Sequence, residues 1–358
     1  MTKVRREYLH GPNPPISLNS TYYKGQRSVY GRETNPTWEY LEDEIGALEG
    51  GLCTVFASGM GAIASIVATL SASQHLYLAS DAYNGTRRLS EYLARAGRVA
   101  MTYVTPEEIR EASFLKGAKK GDLFFFESPS NPELNVYDIF EIASACKKSG
   151  LMVVIDNTFA TPILQNPLSL GVDVVVHSLT KAISGHSDVL GGAVVVRDEN
   201  LHDDFRLRRS LLGAIPSSQD VFLILRGLKT LELRMGRATE NATKAFELFH
   251  ERMSSSSLHY PFHPDSPEFK VAKAQMKCGG AMLSVVFDGA TQADGFIEAL
   301  KVFHKATSLG GVESLVERRA LRDGEENTHP GLVRLSFGIE HWNDLERDLI
   351  EALNSIGL

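Results

Sequence analysis

The chain has 358 residues, 43% of them hydrophobic and 23% charged, and it carries a formal net charge of -7 at neutral pH. The length predicts two domains, and the scattered lysines and arginines form no basic stripe, which argues against binding to nucleic acid. No apolar run approaches the ~20 residues of a membrane span and the N-terminus lacks the apolar core of a signal peptide, so we expect no membrane partner and a cytoplasmic location.

The cysteines and histidines predict no metal site. Cys53, Cys146 and Cys278 are far apart and lack CxxC spacing, so we interpret them as small apolar fillers rather than as disulfide partners or zinc ligands. His177 and His186 could form a metal pair, but packing and hydrogen bonding are favoured because no third ligand is near in sequence.

Residues 1–37 are rich in Pro, Asn, Ser and Tyr and have little periodicity. We interpret them as an extended arm that clasps something beyond itself. Tyr30 and Arg32 are two positions apart, so an extended backbone points both side chains the same way. A guanidinium beside a tyrosine hydroxyl suits a phosphate, and an ordinary surface loop is the alternative.

A helix, a strand and a second helix follow the arm. Apolar positions 38, 41, 45 and 48 predict a helix that ends at Gly50-Gly51. Residues 52–57 then predict a strand, and the small residues of SGMGA turn into a helix that runs to Leu70. The first turn of that helix is an anion site in this interpretation. The segment is not a dinucleotide fingerprint, because the third glycine is missing.

The next strands, at 75–79, 99–104 and 122–127, lead past a helix at 137–149 to an apolar strand that ends at Asp156. Tyr83 follows the first of these strands and could stack on a planar ring, although an ordinary loop tyrosine is the alternative. A carboxylate at the end of a buried strand requires a cation or strong donors, and a pyridinium nitrogen would be such a partner. A helix N-cap is the alternative interpretation of Asp156.

Lys181 is the residue around which we interpret the rest of the chain. The apolar run 172–176 predicts a parallel strand that stops just before it, and ligands bind at such carboxyl ends. An amine flanked by Ser178 and Thr180 suits a Schiff base to an aldehyde cofactor whose phosphate the hydroxyls hold. A surface lysine is the alternative. Asp156 and Lys181 end neighbouring strand candidates, separated by one helix-sized connection, and this coincidence favours a shared site.

The second half of the chain predicts a separate smaller α/β unit. Apolar stripes at 223–235 and 242–253 predict helices, and strands are predicted at 281–287 and 333–337 around a helix at 293–300. Ser308 lies in a Gly-rich turn and Arg334 in an apolar strand, where it is a candidate partner for a carboxylate. An internal ion pair of Arg334 with Glu313 or Glu317 is the alternative.

These motifs jointly resemble the Cys/Met-metabolism family of pyridoxal-phosphate (PLP) enzymes. They are VYGRETNPT, FASGMGA, DAYNGT, ESPSNP, VVIDNTF, SLTKAISGHSDVLGG, TSLGGVESL and VRLSFGIE. The resemblance implies a PLP-dependent transferase of fold type I, an α/β protein with a mainly parallel seven-stranded sheet in its large domain and a smaller C-terminal α/β domain. The implied division is an arm at 1–37 that contacts a neighbouring subunit, a PLP-binding domain at 38–230 and a C-terminal domain at 231–358.

The resemblance also implies roles for individual residues. Lys181 would be the Schiff-base lysine, Asp156 would hold the pyridine nitrogen, and Tyr83 would stack on the ring and help to move protons. The remaining cofactor residues would be Gly59, Met60, Ser178, Thr180 and Thr158, with Tyr30 and Arg32 reaching a neighbouring subunit. Asn131, Ser308 and Arg334 would bind an amino-acid substrate. Sites shared in this way imply an obligate dimer, and the family usually forms homotetramers that are dimers of dimers.

Within the family, the resemblance favours a cystathionine γ-lyase or γ-synthase that acts on L-cystathionine or an activated homoserine. The Tyr83-Asn84 turn lacks the cysteine of methionine γ-lyase, and SLGG lacks the tryptophan of one group of β-lyases. Thr307 stands where many γ-enzymes carry glutamate, and Asn84 replaces a usual glycine. A cystathionine β-lyase or homoserine sulfhydrylase is the alternative. A non-catalytic PLP-fold protein is disfavoured because every polar position that the chemistry requires is filled.

Overall fold

Seven short strands from residues 52–196 form one sheet. The computed structural model describes residues 13–26, 28–322, 324–325 and 328–358. The strands of the first sheet are β1 (Leu52–Phe56), β2 (His75–Ala79), β3 (Ala100–Val104), β4 (Leu123–Glu127), β5 (Met152–Asp156), β6 (Val174–Ser178) and β7 (Gly192–Val196). Their order is β1-β7-β6-β5-β4-β2-β3. Only β7 runs antiparallel to its neighbours, which confirms the predicted mainly parallel sheet.

The central strands are buried along most or all of their length because they are covered on both faces. All five residues of β4 and all five of β7 are buried. Continuous runs of this kind are expected for a parallel sheet between two helical layers. The helices of this part are α1 (Pro36–Glu49), α2 (Gly59–Val67), α3 (Asn84–Arg95), α4 (Pro106–Glu111), α5 (Ile139–Lys148), α6 (Thr161–Leu164), α7 (Glu199–Leu212) and α8 (Ser218–Leu228).

A second sheet follows a long helix, α9 (Leu231–His250). Its strands are β8 (Leu258–His259), β9 (Met282–Val286), β10 (His304–Lys305), β11 (Leu315–Arg318) and β12 (Leu332–Ser336), in the order β10-β11-β12-β9-β8. The remaining helices are α10 (Phe269–Gln275), α11 (Ala290–Ala299) and α12 (Trp342–Ser355). The first part of α9 packs into the core of the first sheet and its second part into the core of the second sheet. The division at residue 231 therefore stays a prediction.

Three sequence-based expectations need correction. The helix predicted over 223–235 is interrupted between α8 and α9, and the stripe at 242–253 belongs to α9, which ends at His250. The connection between β5 and β6 consists of the single turn α6 and a 3-10 turn rather than one helix. Strand β6 extends to Ser178, two residues beyond the predicted end, because its pairing with β7 continues that far.

The described part of the predicted arm lies along the start of α1. Ser17 donates its amide to the Thr37 hydroxyl at 2.9 Å, and the Asn35 side chain donates to the Ser17 carbonyl at 3.0 Å. Thr21 and Tyr30 form an isolated antiparallel bridge. None of the helices in the described ranges combines the length and the apolar character needed to cross a membrane.

Candidate active site

A cavity of about 330 Å³ lies where β4, β5 and β6 end. Strands β4, β5 and β6 are parallel neighbours, so their carboxyl ends meet at one edge of the sheet. Residues of the second sheet and its loops form the opposite wall. Every site residue predicted from the sequence lines this cavity except Tyr30 and Arg32: Gly59, Met60, Tyr83, Asn131, Asp156, Thr158, Ser178, Thr180, Lys181, Ser308 and Arg334.

The first turn of α2 presents backbone N–H groups to the cavity. The Ser58 hydroxyl caps this helix by accepting a hydrogen bond from the Gly61 amide at 3.0 Å. The first backbone hydrogen bond of the helix is donated by the Ala62 amide to the Ser58 carbonyl. Gly59 and Met60 precede that bond and line the cavity, so this helix end suits an anion. A Cβ on Gly59 would lie 3.1 Å from the Cβ of Ser178, so a glycine keeps the helix end close to β6.

Asp156 carries the carboxylate at the end of β5. It accepts a hydrogen bond from the Thr158 amide at 2.9 Å, and the Thr158 hydroxyl accepts one from the Ser178 amide at 2.8 Å. Burial raises the pKa of Asp156, while the hydrogen bonds from Thr158 and the proximity of His177 act in the opposite direction. In the described part of the chain Asp156 has no ion-pair partner, which leaves its charge available to a cationic ligand.

Lys181 follows β6 and reaches the opposite wall. Its ammonium nitrogen donates to the Ser308 hydroxyl at 2.8 Å. Burial, followed by the nearby Arg334 and Arg319, lowers the pKa of Lys181 to about 8. A lysine of this kind is neutral, and therefore nucleophilic and basic, over a mildly alkaline range. Ser308 adopts a left-handed backbone conformation with φ 98°, which is rare for a residue with a side chain and is typical of functional sites.

Arg334 forms the internal ion pair that the sequence offered as the alternative, and its partner is Glu317, whereas Glu313 bonds Ser187. It donates to Asn131 at 2.8 Å and to the Ser308 carbonyl at 3.0 Å, and it forms an ion pair with Glu317 at 3.3 Å. Glu317 also pairs with Arg319 and Arg322, and Arg319 pairs with Glu325. Three guanidinium groups thus share two carboxylates. Burial and the nearby Arg319 lower the pKa of Arg334 to about 9, as expected for a cation that lacks a full counter-charge.

Tyr83 forms part of the cavity wall and is held at two points. Its amide donates to the Glu127 carboxyl at 2.6 Å. Its ring packs on Gly85, where an added Cβ would lie 2.4 Å from the ring. Tyr83 is 42% exposed and lines the cavity, so its ring is open to a ligand.

The amino-acid sequence of the chain matches a known protein family. Residues 5–354 match the family described as Cys/Met metabolism PLP-dependent enzymes. The chain belongs to this family. Its cofactor is PLP, its substrate is an amino acid, and it is an enzyme of the trans-sulfuration type that cleaves or replaces a bond to sulfur.

Individual relatives extend over almost the whole chain. A cystathionine β-lyase of Lactococcus lactis is 36% identical over 99% of this chain and 99% of its own length. A cystathionine γ-synthase of Mycobacterium bovis is 40% identical over 95% of this chain and 92% of its own. The solved structure of a Xanthomonas oryzae cystathionine γ-synthase in complex with cystathionine has a TM-score of 0.91 and 37% identity, covering 96% of this chain and 93% of that one. These structural similarities confirm the predicted fold class.

The residues of the cavity fit the chemistry of the family's cofactor. The uncompensated carboxylate of Asp156 suits a pyridinium nitrogen, the amine of Lys181 suits an aldehyde, and the first turn of α2 suits a phosphate. The Ser178 hydroxyl lies beside that turn. Thr180 already exchanges hydrogen bonds with the backbone of Gly191, at 3.3 and 3.0 Å, and so also closes the loop that follows Lys181.

Tyr30 and Arg32 do not reach the cavity of their own chain. Tyr30 is 45% exposed, and the Arg32 guanidinium lies over its ring at 5.5 Å. The two side chains are thus in contact, although residues 31–33 form a turn and not the extended backbone on which the prediction was based. Their expected contact with a neighbouring subunit stays a prediction.

Two residues of the cavity escaped the sequence analysis. Glu127 is a buried carboxyl group at the end of β4, and Arg319 is a buried guanidinium after β11. Glu127 ends an apolar strand as Asp156 does, so the same signal could have identified it. No local pattern marks Arg319. The candidate metal pair is not formed: His177 bonds Glu49 at 2.6 Å and His186 bonds the Ser184 carbonyl at 2.7 Å.

Another group of potential metal ligands, His250, His263 and Asp265, lies outside the residues that line the cavity. Each of its members is engaged in hydrogen bonds with Ser255 or with another member of the group. These bonds account for the arrangement of the three side chains around the loop that follows α9.

Proposed function

We propose that this protein acts at the γ-carbon of L-cystathionine or of an activated homoserine. The observation that carries the proposal is the position of the Lys181 amine, which bonds Ser308 beside Arg334 in the cavity that Asp156 also lines. In this proposal Asp156 would hold the pyridine nitrogen of PLP and Lys181 its aldehyde carbon, while Tyr83 would lie against the ring. Its phosphate would be held by Gly59, Met60, Ser178 and Thr180, with Tyr30 and Arg32 of a neighbouring subunit.

Bound PLP supplies an electron sink for the pair that remains when the substrate loses its α-proton. The residues of the chain position that substrate and move its protons. Arg334 and Ser308 bind the substrate carboxylate, with Asn131 holding the guanidinium in place. The neutral amine of Lys181 takes the α-proton, and Tyr83 assists in transferring protons to the leaving group.

Cleavage at the γ-carbon needs one more proton transfer than cleavage at the β-carbon, because a proton on Cβ must also be removed. The Lys181 amine can serve both steps if it stays mobile within the cavity. Thr307 lines the cavity at the position where many γ-enzymes carry glutamate, so the chain lacks one feature of that group. The similarity to the Lactococcus lactis β-lyase favours cystathionine β-lyase as the second candidate.

Product analysis tests the choice. Incubation of the holoenzyme with L-cystathionine should give cysteine and 2-oxobutanoate if the γ-carbon is attacked. Homocysteine and pyruvate are the products of a β-lyase, and their exclusive formation would overturn the γ-assignment. Cysteine supplied together with an O-acylhomoserine should give cystathionine if the enzyme works as a γ-synthase, and sulfide in place of cysteine tests for a sulfhydrylase.

We further propose a homotetramer in which each active site is shared between two subunits. Support comes from Tyr30 and Arg32, which are paired with each other outside the cavity of their own chain. Arg32→Ala and Lys181→Ala subunits should each be inactive alone and regain activity when refolded together, because one site of the hybrid then holds both wild-type residues. Absence of any recovery in verified hybrids would contradict shared sites. The cytoplasmic location stays a prediction.

A further inference from the structure

The carboxyl group of Glu127 lines the cavity but has no role in the proposed mechanism. It ends β4 and lies directly opposite Asp156 in the register of β4 and β5, so both side chains leave the same edge of the sheet. Both line the cavity, and they are its only carboxyl groups in the described part of the chain. Glu127 is 4% exposed and takes part in no ion pair within that part. Among the described residues it accepts one hydrogen bond, from the Tyr83 amide at 2.6 Å.

The charged groups around Glu127 determine which of the two neighbours carries a proton. Burial and the proximity of Asp156 raise the pKa of Glu127 well above its usual range, and Asp81 adds to this, whereas the Tyr83 amide and Arg87 oppose it. Burial also raises the pKa of Asp156, but the hydrogen bonds from Thr158 and the proximity of His177 oppose that rise. Asp81 accepts bonds from the Tyr137 hydroxyl at 2.6 Å and from Asn135 at 3.0 Å. Two adjacent buried carboxyl groups do not both ionise readily, so Glu127 retains its proton.

The contact with Tyr83 gives this neutral carboxyl group a task. Tyr83 precedes α3, and its side chain makes no cap for that helix. Its main chain is held by Glu127, while its ring packs on Gly85. If the hydrogen bond from the Tyr83 amide to Glu127 is lost, the Tyr83 ring can shift along Gly85. A displacement of about 1 Å at a reacting group can cost roughly a hundredfold in rate.

We propose that Glu127 is a positioning residue that remains protonated, holds the main chain of Tyr83 at the cavity wall and leaves Asp156 as the only carboxylate among the described residues of the cavity. The proposal rests on the proposed function for the roles of Tyr83 and Asp156. Its central claim concerns a proton in the protein, so it can be measured without substrate.

Infrared difference spectroscopy of wild type and Glu127→Gln tests the proton directly. The wild-type protein, both as apoenzyme and with PLP bound, should show the C=O stretch of a neutral carboxylic acid, and Glu127→Gln should lose it. Glu141→Gln is the matched control, because Glu141 is exposed on α5 and should lose only a carboxylate band. Loss of a carboxylate band in Glu127→Gln as well would overturn the proposal.

A pair of variants tests the positioning. Glu127→Gln keeps a neutral acceptor for the Tyr83 amide, so its PLP affinity and kcat/KM should stay within about threefold of wild type. Glu127→Ala removes the acceptor and should lower kcat about tenfold to a hundredfold. An equal loss of kcat in Glu127→Gln and Glu127→Ala would overturn the proposal. If Glu127→Ala does not fold, the infrared comparison and the Gln variant still decide.

A double-mutant cycle shows whether Glu127 acts through Tyr83. The substitution Glu127→Ala should lower kcat by a smaller factor in the Tyr83→Phe background than in the wild-type background, because part of the role of Tyr83 is already lost. Full additivity would contradict the positioning role. An inactive wild-type enzyme on every sulfur amino acid would count against the proposed function but would leave the infrared result unaffected, so the two failures are distinguishable.

Discussion

The two walls of the cavity carry opposite charges, and the protein leaves both incompletely neutralised. At the edge of the first sheet, Asp156 and Glu127 face the cavity without an ion-pair partner in the described part of the chain. On the second wall, Arg334 belongs to a cluster of three guanidinium groups and two carboxylates. The wall at the sheet edge therefore lacks a cation, and the wall around Arg334 lacks an anion. A pyridinium ring would neutralise the charge of the sheet edge, and an amino-acid carboxylate would neutralise that of the opposite wall.

The amine between the walls should give the largest effect when removed. Lys181→Ala should lower turnover about a thousandfold or more, because the substrate loses its proton acceptor. Circular dichroism should remain that of the wild type, since the ammonium group makes only the hydrogen bond to Ser308 among the described residues. Steady-state rates measure the loss, with Lys148→Ala on the exposed face of α5 as the control. Wild-type rates in Lys181→Ala would show that this lysine is wrongly assigned.

The wall at the sheet edge should control kcat. Asp156→Asn replaces the anion by a neutral amide and should reduce kcat by about a hundredfold while KM changes little, because the pyridine nitrogen is no longer kept positively charged. Titration of the apoenzyme with PLP checks that the cofactor still binds. Asp288→Asn, at an exposed position after β9, serves as the control. A change in KM alone would contradict the separation between the walls.

The opposite wall should control KM. Arg334→Ala should raise KM about tenfold or more with a smaller change in kcat, because a charge-assisted carboxylate contact is lost. The control is Arg347→Ala, which removes an exposed guanidinium paired with Asp344. If KM and kcat are both unchanged, Arg334 serves the internal ion pair with Glu317 rather than the substrate.

A smaller effect should appear in the pH dependence of cofactor capture. Protonated Lys181 cannot attack an aldehyde, and its pKa is lowered to about 8, so the rate of PLP capture by the apoenzyme should rise as the pH increases through about 8 and then level off. Below that pH the rate should change about tenfold per unit. Arg319→Gln removes a nearby positive charge and should move the midpoint upward. A rate that falls with increasing pH would contradict this account, and stopped-flow absorbance measures it.

Much of the sheet could be predicted because its signals are local. Strand β2 begins and ends where the sequence predicts, β4 begins one residue later than predicted, and β5 ends at Asp156 as predicted. Strand β7 was not predicted, because the Gly-rich loop before it obscures the position where the strand begins. The break between α8 and α9 was also missed, since apolar periodicity continues across it. These differences arise where tertiary packing overrides a local pattern.

The sequence by itself determined that Asp156 and Lys181 lie near the ends of neighbouring buried strands, because apolar runs and the turns that stop them are written in consecutive residues. Only the tertiary structure decided that Lys181 meets Ser308, 127 positions away, that Arg319 joins the wall of Arg334, and that Glu127 stands beside Asp156. Such contacts depend on strand order and on how the second sheet packs over the first, and no short stretch of sequence contains that information.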